Sequence, residues 1–288
     1  IYHLSMQIIS RSKGQSAVAA AAYRSGEKLH DERTDEQKFY ARHVQPETMI
    51  LTPSNAPEWM KDRNRLWNEV EKVEKRKDSQ LARELNIALP IELNHDQQKE
   101  LIQSFAQNEF VQKGMVADIA IHRDDANNPH AHIMLSMRNL DQDGFGKKNR
   151  EWNADFANTK ENNIGYVKNS KGCLSIREQW ANYANQALEQ AQINERITHL
   201  SHEKRGLETL PMVHLGHVAH DMEKKGKKTD RGQINRDRQD YNKAVVDLQA
   251  YRHQKEEHLK KMKEKEKQFS FSTDIEKTYI QKAASLVG

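Results

Sequence analysis

Three histidines, His122, His130 and His132, stand at the facing ends of two apolar runs. The first run is Met115-Val116-Ala117-Asp118-Ile119-Ala120-Ile121-His122, and the second is His130-Ala131-His132-Ile133-Met134-Leu135-Ser136. Between them lies a polar linker ending in Asn127-Asn128-Pro129, which is turn chemistry. Side chains alternate between the two faces of a strand, so His130 and His132 share a face. An antiparallel hairpin would then set His122 opposite His130. Three imidazoles converging on one face form a ligand set for a divalent cation. The parity is consistent: Met115, Ala117, Ile119, Ile121, Ala131, Ile133, Leu135 and Met137 give the other face an apolar surface, while Asp118 and Ser136 join the histidines. One face can pack a core and the other can host a site. A cation with open positions polarises a phosphoryl oxygen. Spacing alone leaves open whether an activated water or a side chain then attacks.

Three further stretches carry reactive or phosphate-binding groups. Ser10-Arg11-Ser12-Lys13-Gly14-Gln15 combines hydroxyls, cations and glycine. It reads equally as a phosphate-binding loop and as a plain strand-to-helix connector. Ser16 is a good N-cap for the alanine-rich helix that follows and carries Tyr23 and Arg24, with Gly26 at its end. Periodicity by itself makes Tyr23 a packing residue. From Arg83 to Leu89 the chain alternates, with Leu85, Ile87 and Leu89 on one face and Glu84 and Asn86 on the other. Glu84 is thus a candidate acid, base or partner of a metal ligand, or else a solvated carboxylate on an edge strand.

The elements that must position these groups are an expected α+β fold, a central antiparallel sheet flanked by helices. A strand over residues 1–9 and a helix from residue 17 precede an irregular or hairpin segment over 33–52. A helix then carries Trp59, Leu66, Trp67, Val70 and Val73, and a second, opened by Asn94 and Gln97 as a capping pair, carries Leu101, Ile102 and Phe105. Residues 139–173 are polar and read as a hairpin and loop. Ser175-Ile176-Arg177-Glu178 forms a capping box for an amphipathic helix bearing Trp180, Tyr183, Ala184 and Leu188. Beyond residue 194 the character changes. The stretch Leu210-Pro211-Met212-Val213-His214-Leu215-Gly216-His217 fits no standard metal-ligand spacing and reads as solvated or DNA-facing, and charge-dense sequence over 235–267 reads as a long exposed helix. The expected division is a site-bearing domain over 1–198 and a basic, mostly helical extension over 199–288.

The 288 residues are 31% charged and 36% apolar, with no run long enough to span a membrane. The start of the chain reads as a strand rather than a leader, so the cytoplasm is the expected location. A single cysteine, Cys173, excludes an internal disulfide framework. A net charge of +4 suits a polyanionic partner.

His130-Ala131-His132, with His122 as a third ligand, resembles the His-hydrophobe-His motif of the HUH endonucleases. Ile1-Tyr2-His3, Ser10 to Ala17, Ala22-Tyr23, Arg83-Glu84 before Ala88-Leu89-Pro90, and Asn128-Pro129-His130 are similar to motifs of the MobA/MobL family of plasmid mobilisation relaxases. So is Leu210-Pro211 with Val213-His214-Leu215-Gly216, and the resemblance covers roughly residues 1–235. It implies a relaxase that nicks and rejoins one DNA strand at a plasmid transfer origin, through a 5′-phosphotyrosyl intermediate on Tyr23. Glu84 would be the base and His122, His130 and His132 the metal ligands. A phenol ionises near pH ~10, so the nucleophile needs a base or the field of the metal. The family's usual metal is Mg²⁺ or Mn²⁺, whereas imidazole ligands suit Zn, Ni or Cu. Arg11, Lys13, Arg24 and Arg83 would contact phosphates of single-stranded DNA. Implied partners are accessory mobilisation proteins and a conjugative coupling protein, with no membrane insertion. The alternatives are a metal-dependent nuclease using activated water and a non-catalytic DNA-binding module.

Overall fold

The computed structural model describes residues 2–141, 144–150, 176–213 and 215–284. They divide into two compact units, Ile1–His199 and Leu200–Gly288. Ser175, half of the expected second capping box, and Cys173 lie outside the described residues, as does His214.

The first unit is α+β. Five antiparallel strands form its sheet, in the order β1 (Leu4–Ser10), β5 (Gln80–Ala88), β7 (His130–Leu135), β6 (Ala117–His122) and β4 (Glu47–Leu51). Smaller hairpins pair β2 (Leu29–Asp31) with β3 (Glu36–Lys38), and β8 (Arg138–Asp141) with β9 (Gly144–Lys148). Segment 33–52, read as irregular or hairpin from sequence, contributes one arm of a small hairpin and the edge strand of the main sheet. Its polar character hid β4, whose apolar run is only Met49, Ile50 and Leu51.

The sheet separates two apolar clusters. On one face Leu85, Ile87, Ile119, Ile121, Ala131, Ile133 and Leu135 meet Leu101, Ile102 and Phe105 of α3 (His95–Glu109) and Trp180, Ala184 and Leu188 of α4 (Ile176–Gln190). The Asn94 and Gln97 pair forms the expected capping box on α3. On the other face α1 (Ala17–Ser25) and α2 (Arg63–Val73) bury Ala17, Val18, Ala21, Ala22, Leu66, Trp67 and Val70 against Ile9, Ala82 and Met134. Alanines along α1 let it lie close to the sheet. Ser16 caps it, accepting the Ala19 N–H at 3.2 Å, and Gly26 ends it with φ of 70°.

Under α2 this second face carries buried charge. Asp118 accepts from Arg63 Nη2 at 2.8 Å and from the Trp67 indole N–H at 2.8 Å, and Arg63 also pairs with Glu27 in the turn after α1. Glu71 of α2 accepts the Ala17 N–H at 2.7 Å, so one helix satisfies the start of the other.

In the second unit α5 (His217–Lys224) precedes the long α6 (Asp230–Ala284). Two asparagines on α6 hold an extended stretch: Asn242 pairs with both backbone groups of Leu210, at 2.6 and 2.8 Å, and Asn235 with both of Val213, at 2.7 and 2.8 Å. Seven residues of helix rise about 10.5 Å, which three extended residues match. Among the described residues no helix is long and apolar enough to cross a membrane.

Removing one member of a buried ion pair costs about 3–5 kcal/mol, because its partner is left charged without compensation. Asp118→Ala should therefore lower unfolding free energy in urea by roughly 3 kcal/mol or more, and Arg63→Met in the same chain should recover part of the loss. A loss below about 1 kcal/mol would show that the Asp118 cluster does not hold α2 to the sheet.

Candidate active site

The hairpin register sets His122 directly opposite His130, as strand parity predicts, and His132 opposite Ala120. One ring nitrogen from each histidine lies within 4.8 Å of those of the others, and among the described residues this is the one group of histidine, cysteine or carboxylate side chains so arranged. Ring centroids are separated by 5.0–5.3 Å.

Each imidazole uses its other nitrogen on an oxygen that can only accept. His122 Nε2 donates to the Arg24 carbonyl at 2.8 Å and His130 Nδ1 to the Asn128 carbonyl at 2.8 Å, while His132 Nδ1 donates to Glu84 Oε1 at 3.0 Å. These acceptors assign the tautomers. The lone pairs left over are on Nδ1 of His122 and on Nε2 of His130 and His132, which is how metal-ligating histidines are oriented. Burial, and then the charges of His132 and His130, push His122 down to about 4. Burial also lowers His132, against the opposing pull of Glu84. Both rings are thus neutral at pH 7 and able to donate to a cation. The donor set fits a divalent metal.

Glu84 lies beneath this cluster on β5, which is an inner strand, so the edge-strand alternative is excluded. It is 1% exposed. Its carboxylate accepts from Arg24 Nε and Nη2, both at 2.5 Å, from Gln7 Nε2 at 2.6 Å and from His132. Burial pushes the carboxyl up, but the His132 and Arg24 hydrogen bonds and the Arg24 charge outweigh it and hold it at about 2. A carboxylate so engaged is a weak proton acceptor, and among the described residues it makes no hydrogen bond to Tyr23. Its hydrogen bonds run to Gln7, Arg24 and His132, and the last of these joins it to the histidine cluster.

Tyr23 is 49% exposed, in the last turn of α1, so it is not the packing residue that periodicity suggests. The adjacent residue carries the link to the histidines: the Arg24 carbonyl receives His122 and its guanidinium receives Glu84. Alongside Tyr23, residues from the loop between β3 and β4 complete the surroundings. Tyr40 meets its ring edge-on at 5.3 Å, and the Arg42 guanidinium lies 4.7 Å from the ring centroid. Sequence reasoning missed both, since a loop residue has no periodicity to mark it. Tyr40 also means that a second phenol stands beside Tyr23, although only Tyr23 is on the helix.

The cations expected to contact phosphate are mostly committed elsewhere. Arg83 points to the opposite face from Glu84, is buried, and donates to the carbonyls of Ser136 at 3.1 Å and Asn149 at 2.6 Å. Neighbours on a strand face opposite ways, so Arg83 could not share the site with Glu84. Arg11 donates to Glu71 Oε2 at 2.5 Å and to the Arg76 carbonyl at 2.9 Å, tying the loop to the end of α2. Arg24 is the partner of Glu84. Lys13 alone of the four is exposed and makes no ion pair among the described residues.

Residues 15–225 match the MobA/MobL family. The chain is 35% identical over 246 residues to a probable conjugal transfer protein TraA of Sinorhizobium fredii, covering 80% of this chain and 22% of that one. It is 35% identical to mobilization protein A of Escherichia coli, covering 88% and 34% of the two chains, and 34% identical to mobilization protein MobL of Acidithiobacillus ferridurans, covering 87% and 69%. A solved structure, described as the molecular basis of vancomycin resistance transfer in Staphylococcus aureus, superposes with a TM-score of 0.59 at 34% identity. That match covers 70% of this chain and 99% of the other. The chain thus spans about a fifth of the TraA relatives and about two thirds of the MobL relative. Its sequence and its sheet place it in the same group, and the chain belongs to the MobA/MobL family.

Proposed function

We propose that this chain is the nicking module of a plasmid mobilisation relaxase, with Tyr23 as nucleophile and His122, His130 and His132 as metal ligands. The observation that carries the reading is the attachment of the Tyr23 turn to the histidine cluster through Arg24. That attachment gives a half-exposed phenol a fixed relation to a metal site. Family membership, and the names of the relatives as conjugal transfer and mobilisation proteins, support the same reading.

In this mechanism single-stranded DNA from a transfer origin lays its scissile phosphate between Tyr23 and the histidines. A divalent cation bound there would supply Lewis-acid stabilisation of the phosphoryl oxygens. Tyr23 Oη attacks phosphorus and gives its proton to solvent, which its exposure allows. The bond from phosphorus to the 3′ oxygen breaks, and that oxygen takes a proton from water. DNA remains joined to Tyr23 through its 5′ phosphate, so reversal by the 3′ hydroxyl reseals the strand. Glu84 acts through His132, fixing its tautomer and ring angle. Three imidazoles favour Zn, Ni or Cu over the oxygen-seeking Mg²⁺ or Mn²⁺. We assign the chemistry to residues 1–198 and DNA contact or linkage to further domains to the charged unit over 199–288. Accessory mobilisation proteins and a coupling protein are the partners this role requires, and the cytoplasm is where it would act.

Single-stranded oligonucleotides tiled across a transfer origin, incubated with metal, should give a covalent adduct on a denaturing gel. Tyr23→Phe should abolish it and Tyr40→Phe should retain it; peptide mapping of the adduct separates these neighbours. Cleavage without an adduct would instead favour the nuclease that uses water. Metal binding offers a second check. Glu84→Ala should weaken Mn²⁺ or Zn²⁺ affinity about 10–100-fold in a calorimetric titration, the usual effect of losing a ligand's hydrogen-bond partner. Unchanged affinity in that variant would remove Glu84 from the site.

A further inference from the structure

The loop between β3 and β4 contributes a cation to the proposed nucleophile. Arg42 Nη2 donates to the Tyr23 carbonyl at 2.6 Å while the guanidinium faces the Tyr23 ring. The loop is held close by Gly26, the residue that ends α1: a Cβ there would meet Gln45 Oε1 at 2.7 Å and Arg42 Cγ at 3.4 Å. Glycine is required twice over, since its φ is +70°. Tyr40 meets the ring edge-on. Arg42 is therefore held at its guanidinium, with its stem beside Gly26.

Among the described residues its remaining donors are not engaged. A guanidinium carries more N–H groups than one carbonyl can use, and among the described residues the Tyr23 carbonyl is the acceptor Arg42 has. Among the described residues no carboxylate pairs with it, in contrast to Arg11, Arg24 and Arg63.

We propose that Arg42 contacts a non-bridging oxygen of the phosphate that Tyr23 attacks, while steadying the Tyr23 ring. Bidentate, charge-assisted bonds to phosphate are what a guanidinium does best. The contact balances the charge that accumulates on phosphorus oxygens. It also fills the gap left by Arg11, Arg24 and Arg83, whose donors serve the fold. The assignment rests on Tyr23 being the nucleophile.

Two measurements test it. With an oligonucleotide that gives the adduct, single-turnover formation at saturating DNA and metal should slow at least tenfold in Arg42→Gln. That variant keeps a side-chain N–H donor for the Tyr23 carbonyl but loses the charge. Arg42→Lys, which keeps the charge, should lie nearer to the unmodified protein. Equal slowing in the two variants would mean a purely structural role, and a Gln variant within twofold of the unmodified rate would overturn the proposal. The second measurement needs no cleavage. In the Tyr23→Phe protein, binding of oligo-dT is followed by anisotropy across a salt series. Losing one phosphate contact should reduce the slope of log affinity against log salt by about 0.7 in Arg42→Gln and leave it unchanged in Arg42→Lys. An unchanged slope in the Gln variant would overturn the phosphate contact even if the protein formed no adduct; absence of an adduct from the unmodified protein would count against the relaxase reading alone.

Discussion

Arg24 joins two elements that would otherwise meet only through small apolar contacts. Its backbone carbonyl takes the His122 N–H and its guanidinium takes both oxygens of Glu84, which in turn holds His132. One residue thereby fixes two of the three histidines and the turn carrying Tyr23. Because Glu84 is buried, these bonds act in a medium of low dielectric, where charge-assisted hydrogen bonds are strong and an unpaired charge is costly. The arrangement also explains the alanines of α1. A bulkier helix would stand off the sheet and put the carbonyl out of reach of His122.

The same demand for paired charge shapes the rest of the site-bearing face. Asp118 must satisfy Arg63 and the Trp67 indole, and Glu71 must satisfy Arg11 and the first turn of α1. Such groups settle the relative positions of α1, α2 and the sheet more finely than apolar packing would, since each demands a particular donor geometry. Their consequence for function is subtractive. Arg11, Arg24 and Arg83 are engaged in holding the fold, while Arg42 stands beside the proposed nucleophile.

The two faces of the sheet divide the labour. Beneath one, Phe105 and Trp180 meet with ring centroids 5.1 Å apart in a predominantly apolar layer. On the other, polar residues concentrate toward the ends of β6 and β7, where the hairpin leaves room above the histidines. A rigid layer on one side gives the three imidazoles a common base, and this is what allows modest hydrogen bonds to set their angles.

How much of this was legible in the amino-acid order depends on range. Parity along β6 and β7 determined that His122, His130 and His132 share a face, because alternation is a property of the strand itself. Capping residues Ser16, Asn94 and Gln97 and the terminal Gly26 marked helix ends for the same local reason. Three things required the tertiary structure. Glu84 has an orienting task because Arg24, sixty residues away, closes on it. Arg83, on the face opposite Glu84, is taken up by the carbonyls of Ser136 and Asn149, which other elements bring to it. Tyr40 and Arg42 reach Tyr23 through a loop with no periodicity, held close by the small Gly26. Sequence sets the face on which a side chain lies, but the partner that satisfies its charge comes from another element, and that partner decides whether the charge remains free for a ligand.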